Sequence, residues 1–363
     1  MVPYYVLFFS LIIGCFLELK YDELKIFNHS FETKKIINIY FLVLFLFIGI
    51  FRYEFLGVDV DNYSAYFHES NIRYTWTELL FNFSLDNGYY LLNKIFKILF
   101  NNFWIFKGFL YTATFLLYYK VIAELSKCIS MSLIVFLGIE RLLGIFCLLR
   151  QEVAIALCLY AIKYIEEKKL LNFLLIIFLA GTFHKTAYLF VAAYFFVNWK
   201  VSTKKELFIK YGLTLILTPI IGYFGLKFLI SLYPIKYEIS FNIGNGSFKL
   251  AYILFWIVAS YLLLKKDNEE TLNDIEPDNI YFKISYCSLF TQSLTMFLPI
   301  FTRITTYFLI CFIFLIPDIY FIFKEKYEKH YKLFFIFIIL FFSVLFFYTI
   351  SGTLVPYKFQ PLI

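Results

Sequence analysis

LFFIFIILFFSVLFFYTI, residues Leu333–Ile350, carries no charged side chain, and only Ser343, Tyr348 and Thr349 interrupt it with a polar atom. As an α-helix this stretch rises about 27 Å, close to the ~30 Å of a bilayer's hydrocarbon core. Ile36–Phe51, Met131–Leu149, Leu207–Leu232 and Ile304–Phe323 are apolar runs of comparable length. Working outward, the 363-residue chain is 61% apolar and 16% charged, whereas a soluble domain carries roughly a quarter charged residues. Soluble helices also confine their apolar residues to one stripe rather than to unbroken runs. The chain is therefore read as all-α, a polytopic integral membrane protein forming one transmembrane domain over residues 1–363.

About twelve spans are expected, at 2–18, 36–51, 103–122, 129–149, 152–165, 170–183, 186–199, 207–232, 247–264, 280–298, 304–323 and 333–350. The segment at about 89–101 is apolar but short and carries Lys94 and Lys97, so it is expected as an interfacial helix. Loops 19–35, 120–128, 163–169, 200–210, 265–283 and 324–332 hold twenty of the 28 lysines, which places them in the cytoplasm. Both termini then face outward, and 52–88 becomes the largest extracytoplasmic loop. The net charge of +7 is explained by these loops, and nucleic acid is not an expected partner. The six cysteines are scattered without a CxxC pair and read as small apolar packing residues.

The five arginines follow a different rule. Arg52, Arg73, Arg150 and Arg303 fall on the outer side and Arg141 inside a span, with none in a cytoplasmic loop. Guanidinium binds phosphate, pyrophosphate or carboxylate with two parallel hydrogen bonds. The outer loop opens FRYEFLGVDVDNYSAYF (Phe51–Phe67), with Asp59 and Asp61 close together and Tyr63 and Tyr66 after them. Either carboxylate suits a general base toward a sugar hydroxyl, or a helix N-cap in an ordinary polar loop. Arg150-Gln151 stands at an outer span end, and His184-Lys185 at the outer turn one hairpin later. These groups converge on one cavity, or they are a snorkelling Arg and a solvent-facing His. Arg303 and Tyr307 lie one helical turn apart, where Arg303 is a second phosphate clamp or an interfacial anchor. Glu140-Arg141 reads as a structural pair between helices. Arg141 and Arg150, nine residues apart, share a cavity only if the helix breaks, with Gly144 the candidate position.

No P-loop, GxGxxG or GxSxG occurs, and His29, His68, His184 and His330 stand apart from any metal-ligand spacing. Neither a metal nor a cofactor is called for.

Three motifs resemble the Wzy-type and EpsG-like polymerases of bacterial O-antigen and exopolysaccharide. They are Arg52, Gly57, Asp59 and Tyr63; Arg150, Gln151, Ala154, Phe183, His184 and Ala187; and Arg303, Tyr307 and Phe308 with Pro356–Lys358. Val60 stands where that family often has Tyr. The resemblance implies a GT-C-like glycosyltransferase of the bacterial cytoplasmic (inner) membrane, active on the periplasmic or exterior face. It would join oligosaccharide repeat units carried on undecaprenyl pyrophosphate. Asp59, Asp61 and His184 would be catalytic, and Arg52, Tyr63, Arg150, Gln151, Arg303 and Tyr307 would bind pyrophosphate or sugar. Implied partners are the lipid-linked oligosaccharide, the bilayer and a chain-length regulator. A flippase for the same lipid, an O-antigen ligase and a membrane acyltransferase are the rivals. The ionisable residues at one face favour an enzyme over the flippase. The early position of the long loop favours a polymerase over the ligase, and no evident His-Asp pair serves acyl transfer.

Overall fold

A computed structural model describes residues 2–26, 29–52, 57, 59–81, 86–201, 203–213, 220, 224, 246–264 and 278–353. The chain folds as helices α1 (Val2–Lys20), α2 (Thr33–Ile50), α3 (Val60–Arg73), α4 (Trp76–Phe81), α5 (Asn87–Leu99) and α6 (Phe103–Leu125). There follow α7 (Ile129–Gly138), α8 (Arg141–Cys147), α9 (Leu149–Glu166), α10 (Leu170–Phe183), the 3-10 turn Lys185–Phe190 and α11 (Val191–Asn198). The last group is α12 (Lys204–Leu207), α13 (Ser247–Leu264), α14 (Ile280–Ser293), α15 (Phe301–Leu309), α16 (Phe312–Lys326) and α17 (Tyr331–Thr353). One antiparallel hairpin, β1 (Glu23–Ile26) with β2 (His29–Glu32), joins α1 to α2 and departs from the purely helical expectation.

Apolar side chains cover both the inner and the outer faces of the long helices. On α1, Leu7, Phe8 and Leu11 are buried while Phe9, Ile13 and Phe16 are exposed. On α17, Ile338, Phe342 and Phe346 are buried while Leu333, Leu340 and Val344 are exposed. A helix apolar all round belongs in lipid, which makes this a membrane protein. Helices α1, α2, α13 and α17 are each long and apolar enough to cross alone, and the bent pairs α7–α8 (57°) and α15–α16 (45°) raise the count to six. Every other expected span except 207–232 also coincides with helix, but shorter or more charged. α6 carries Lys107 and Lys120, α9 carries Arg150, Glu152 and Lys163, and α10 has only 14 residues. Most of 207–232 lies outside the described residues.

The helix interrupted between α7 and α9 breaks at Glu140 and again at Leu148, not at Gly144. Glu140 adopts the left-handed conformation (φ 70°), and Gly144 stays inside α8. Glu140 and Arg141 are not a mutual pair. Arg141 instead binds Glu152, Nη1 to Oε1 at 2.6 Å, with both side chains buried.

Two apolar cores result. The larger runs through the long helices, and the smaller joins α3, α4, α5 and the start of α6 through Tyr63, Phe67, Leu79, Tyr89, Phe103 and Phe106. This smaller unit caps one pole of the bundle. At the opposite pole Glu18 accepts from the N–H groups of Ile129 and Ser130 (2.7 and 3.0 Å), capping α7, and Lys127 pairs with Asp318 at 3.0 Å. α2, α7–α8 and α15–α16 each run between these poles.

Candidate functional site

Local backbone requirements bring the outer loop onto the bundle. Gly57 has φ 145°, a region that favours glycine, and a side chain there would press on Val60 and on the end of α8 at Phe146 and Cys147. That close approach sets Asp59 beside the α8–α9 corner. Gly88 does the same for α5, because a Cβ there would stand 2.5 Å from Thr182 Oγ1 near the end of α10. Asp86 is thereby held against the His184 turn.

A cavity of about 170 Å³ opens where these pieces meet, lined by Asp59, Tyr63, Arg150, Gln151, His184 and Arg303, with Asn62, Tyr66 and Leu148 completing the wall. Arg150 begins α9, and its Nη1 lies 2.6 Å from Asp86 Oδ2. Its guanidinium carbon is 5.8, 6.0, 5.7 and 5.9 Å from the ring centroids of Tyr63, Tyr66, Tyr89 and Tyr90. Four electron-rich faces at this range hold the cation in place. Gln151 donates from Nε2 to the Arg303 carbonyl (2.8 Å) and to Thr306 Oγ1 (3.1 Å), tying α9 to α15. The Arg303 carbonyl can only accept, so the amide orientation is fixed. Gln151 Oε1 is then left buried without a partner. Arg303, half exposed, reaches Asp59 Oδ2 at 3.8 Å.

The Asp59 side chain caps no helical N–H, although the residue stands just before α3. Its carboxylate faces the cavity.

His184 closes α10, with its backbone N–H bonded to the Ala180 carbonyl at 3.0 Å. Both ring nitrogens are buried without a hydrogen-bond partner, and Nδ1 stands 4.0 Å from Asp86 Oδ2. Burial, then the charges of Arg150 and Arg303, pull its pKa down to about 4, so the ring is neutral near pH 7. Burial pushes the Asp86 carboxyl above its ordinary value, with Arg150 and Lys185 opposing. Because folding disfavours the imidazolium, the fold loses nothing above the ordinary His value near 6.5 and loses the full contribution below about 4. We expect one of the four histidines to titrate near pH 4 by NMR of ring-labelled protein, and Arg303→Gln to move that resonance upward. Four ordinary titrations between pH 6 and 7 contradict this assignment.

The structure brings six of the nine expected site residues to one cavity and places three elsewhere. Asp61 is exposed on the first turn of α3 and does not line it, because α3 turns that position outward. Arg52 is buried in the bundle, with Nε 3.3 Å from the Tyr4 hydroxyl and its guanidinium 4.5 Å from the Phe146 ring centroid. Tyr307 is buried behind the cavity and accepts from Thr186 Oγ1 at 3.1 Å. Pro356–Lys358 lies outside the described residues. Asp86, Tyr89 and Tyr90 were not anticipated. The only local signal is Asp-Asn-Gly at 86–88 before a Tyr pair, which reads as an ordinary turn and helix start. Among the described residues no three His, Cys, Asp or Glu side chains cluster as a metal site requires.

Two cations, one carboxylate, a neutral imidazole and a fixed amide acceptor thus face one small space. It can hold an anion through the arginines and a hydroxyl through the acceptors. Comparison with curated proteins and with solved structures finds no match. The EpsG family matches residues 34–359, which include every cavity-lining residue, and the chain belongs to the EpsG family.

Proposed function

We propose that the protein is a polysaccharide polymerase. It joins oligosaccharide repeat units carried on undecaprenyl pyrophosphate at the outer face of the bacterial cytoplasmic membrane, within a GT-C-like bundle of about twelve spans. The observation that carries this reading is the convergence of Arg150 and Arg303 with Asp59 and His184 on one cavity at one pole.

In the proposed reaction a hydroxyl oxygen of the acceptor unit attacks the anomeric carbon of the growing chain. The bond from that carbon to the pyrophosphate oxygen breaks. The hydroxyl proton passes to the Asp59 carboxylate, and undecaprenyl pyrophosphate leaves with the electron pair. Arg150 and Arg303 stabilise the charge gathering on the leaving group. Fixed donors in such a site are each worth about 3–4 kcal/mol of barrier. His184, neutral near pH 7, and Gln151 Oε1 orient hydroxyls. A chain-length regulator is a further proposed partner.

The cavity charges at one pole favour an enzyme over a flippase, whose ionisable groups line the midplane and both gates. The buried Arg141–Glu152 pair is sealed in packing and does not line this cavity. The test is deletion of the gene, with the surface polysaccharide resolved on a gel and rescue by wild type and by Arg150→Ala. The expected result is that single repeat units persist, longer chains vanish and only wild type restores the ladder. Loss of the single-repeat species from the surface points to a flippase. Accumulation of long polymer without its final acceptor points to a ligase, and either result overturns the proposal.

A further inference from the structure

Two of the six cysteines meet at the pole away from the cavity, although 113 residues separate them in the chain. Leu11, Gly14 and Cys15 share the buried face of α1, and Glu18 follows one turn later. Gly14 lets α7 come close, since a Cβ there would stand 3.1 Å from Ser130 Oγ. Cys128 precedes α7 in extended backbone. The sulfurs of Cys15 and Cys128 consequently lie 3.7 Å apart, and Cys128 Sγ is 3.5 Å from Glu18 Oε2.

Both thiols are free and fully buried. Burial, then Cys15, then Glu18 push the Cys128 thiol above its ordinary value, so the resting pair is protonated. Its surroundings nevertheless equip it to react. Glu18 is only partly buried, so an oxidant the size of water reaches the carboxylate beside Cys128. That carboxylate accepts from the Cys128 thiol and is placed to take its proton. The Ile129 and Ser130 N–H groups that Glu18 engages open the ten-residue helix α7, and a helix start favours a neighbouring thiolate. Cys15 stands in contact to complete a bond, which requires the sulfurs to close to about 2.05 Å.

From this arrangement we infer that Cys15 and Cys128 are a reversible oxidation site, which hydrogen peroxide converts into a disulfide joining α1 to α7. The Cys128 proton passes to Glu18, and the thiolate attacks one peroxide oxygen. The O–O bond breaks, and the departing hydroxide takes the proton back from Glu18 as water, leaving a sulfenic acid on Cys128. The Cys15 sulfur then attacks the Cys128 sulfur. The S–O bond breaks, and the hydroxide leaves with the Cys15 proton as a second water. Two thiols are oxidised and one peroxide is reduced. The lysine pattern leads one to expect this pole in the cytoplasm, where thiols stand reduced and a disulfide is a transient state. The bond holds one end of α7, whose other end meets the Glu140 break.

The experiment treats the full folded chain in nanodiscs with hydrogen peroxide, quenches it, and then denatures it in a maleimide for intact-mass and peptide analysis. The expected product carries four maleimides, the six cysteines less the bridged two, and yields a Cys15–Cys128 cross-linked peptide. Dithiothreitol should restore all six thiols. Cys15→Ala and Cys128→Ala should each slow formation of any intramolecular bridge by about tenfold or more, while Cys158→Ala leaves it unchanged. Wild type alone decides the pairing, so a variant that misfolds does not shelter the inference. Six maleimides on the treated protein, or a bridge between any other pair, overturns it. So does a bridge that forms only when the chain is unfolded before peroxide is added.

Discussion

Replacing Glu152 by leucine is expected to destabilise the bundle by about 3–5 kcal/mol, because it leaves the charge of Arg141 buried without its partner. Glu152 is fully buried and Arg141 nearly so. The carboxylate accepts from Arg141 Nη1 at 2.6 Å and from the Tyr118 hydroxyl at 2.8 Å, while Arg141 Nε donates to the Ile139 carbonyl at 3.0 Å. Four short pieces of chain (the end of α7, α8, the start of α9 and the middle of α6) are therefore held by one acid and one base. Gly144 is part of the same arrangement, since a Cβ there would lie 2.2 Å from Glu152 Oε1. Gly144→Ala is accordingly expected to destabilise as an overpacked core does, by about 1–3 kcal/mol. Thermal unfolding of the purified protein in detergent measures both. The pair Arg141→Met with Glu152→Leu should recover much of the loss, because two apolar groups replace two charges and strand neither. A Glu152→Leu protein as stable as wild type, or a double variant no better than the single one, contradicts this account.

The same staple marks the limit of what the sequence makes legible. Long apolar runs are written directly in composition, so the helices at Thr33–Ile50 and Tyr331–Thr353 follow from counting residues against a bilayer's thickness. The pairing of Arg141 with Glu152 does not. Eleven residues apart on a continuous helix, the two would share a face but stand about 16 Å apart along the axis. They touch only because the backbone turns at Glu140 and again at Leu148. Neither is a Gly or Pro position, where breaks are usually read. Helix α9 carries Arg150, Glu152 and Lys163, and α10 has only 14 residues, so neither has the length and composition by which a lone crossing helix is read from sequence.

The cavity was legible in part, and the division has a physical cause. Arg150, Gln151, His184 and Arg303 sit at the ends of expected spans, where their types are conspicuous against an apolar background and the lysine pattern leads one to expect them on one face. Asp59 and Tyr63 follow from their spacing at the start of α3. Arg52 has the same chemistry and the same apparent position but folds inward onto Tyr4 and Phe146. Its direction depends on which neighbours the first helix brings, and no local pattern encodes that. Asp86 could not be separated from other loop carboxylates, because its importance comes from Gly88 docking on Thr182 far along the chain.

Arg150→Lys is expected to keep the protein folded and in the membrane while lowering polymer formation by about two to three orders of magnitude, the usual loss for one fixed donor to a developing anion. The change preserves charge, so what it removes is geometry. Arg150 has one terminal nitrogen on Asp86 at 2.6 Å, and its Nε is buried without a partner. A planar guanidinium can satisfy Asp86 along one edge and still offer N–H groups to a pyrophosphate oxygen along another. An ammonium is a single point that must choose between them. The four tyrosine rings add to the difference, because they hold a flat cation between their faces and would leave a shorter, more hydrated ammonium loosely placed. Charge retention keeps Asp86 paired, so immunoblots of membranes should show wild-type amounts of Arg150→Lys alongside a collapsed ladder on the polysaccharide gel. Arg303→Lys should do less harm, since Arg303 is half exposed and its contact with Asp59 is a looser 3.8 Å. If Arg150→Lys supports a full ladder, positive charge alone suffices at this position. Clamping of the leaving group by the Arg150 fork would then have to be abandoned, leaving Arg150 as a structural partner for Asp86.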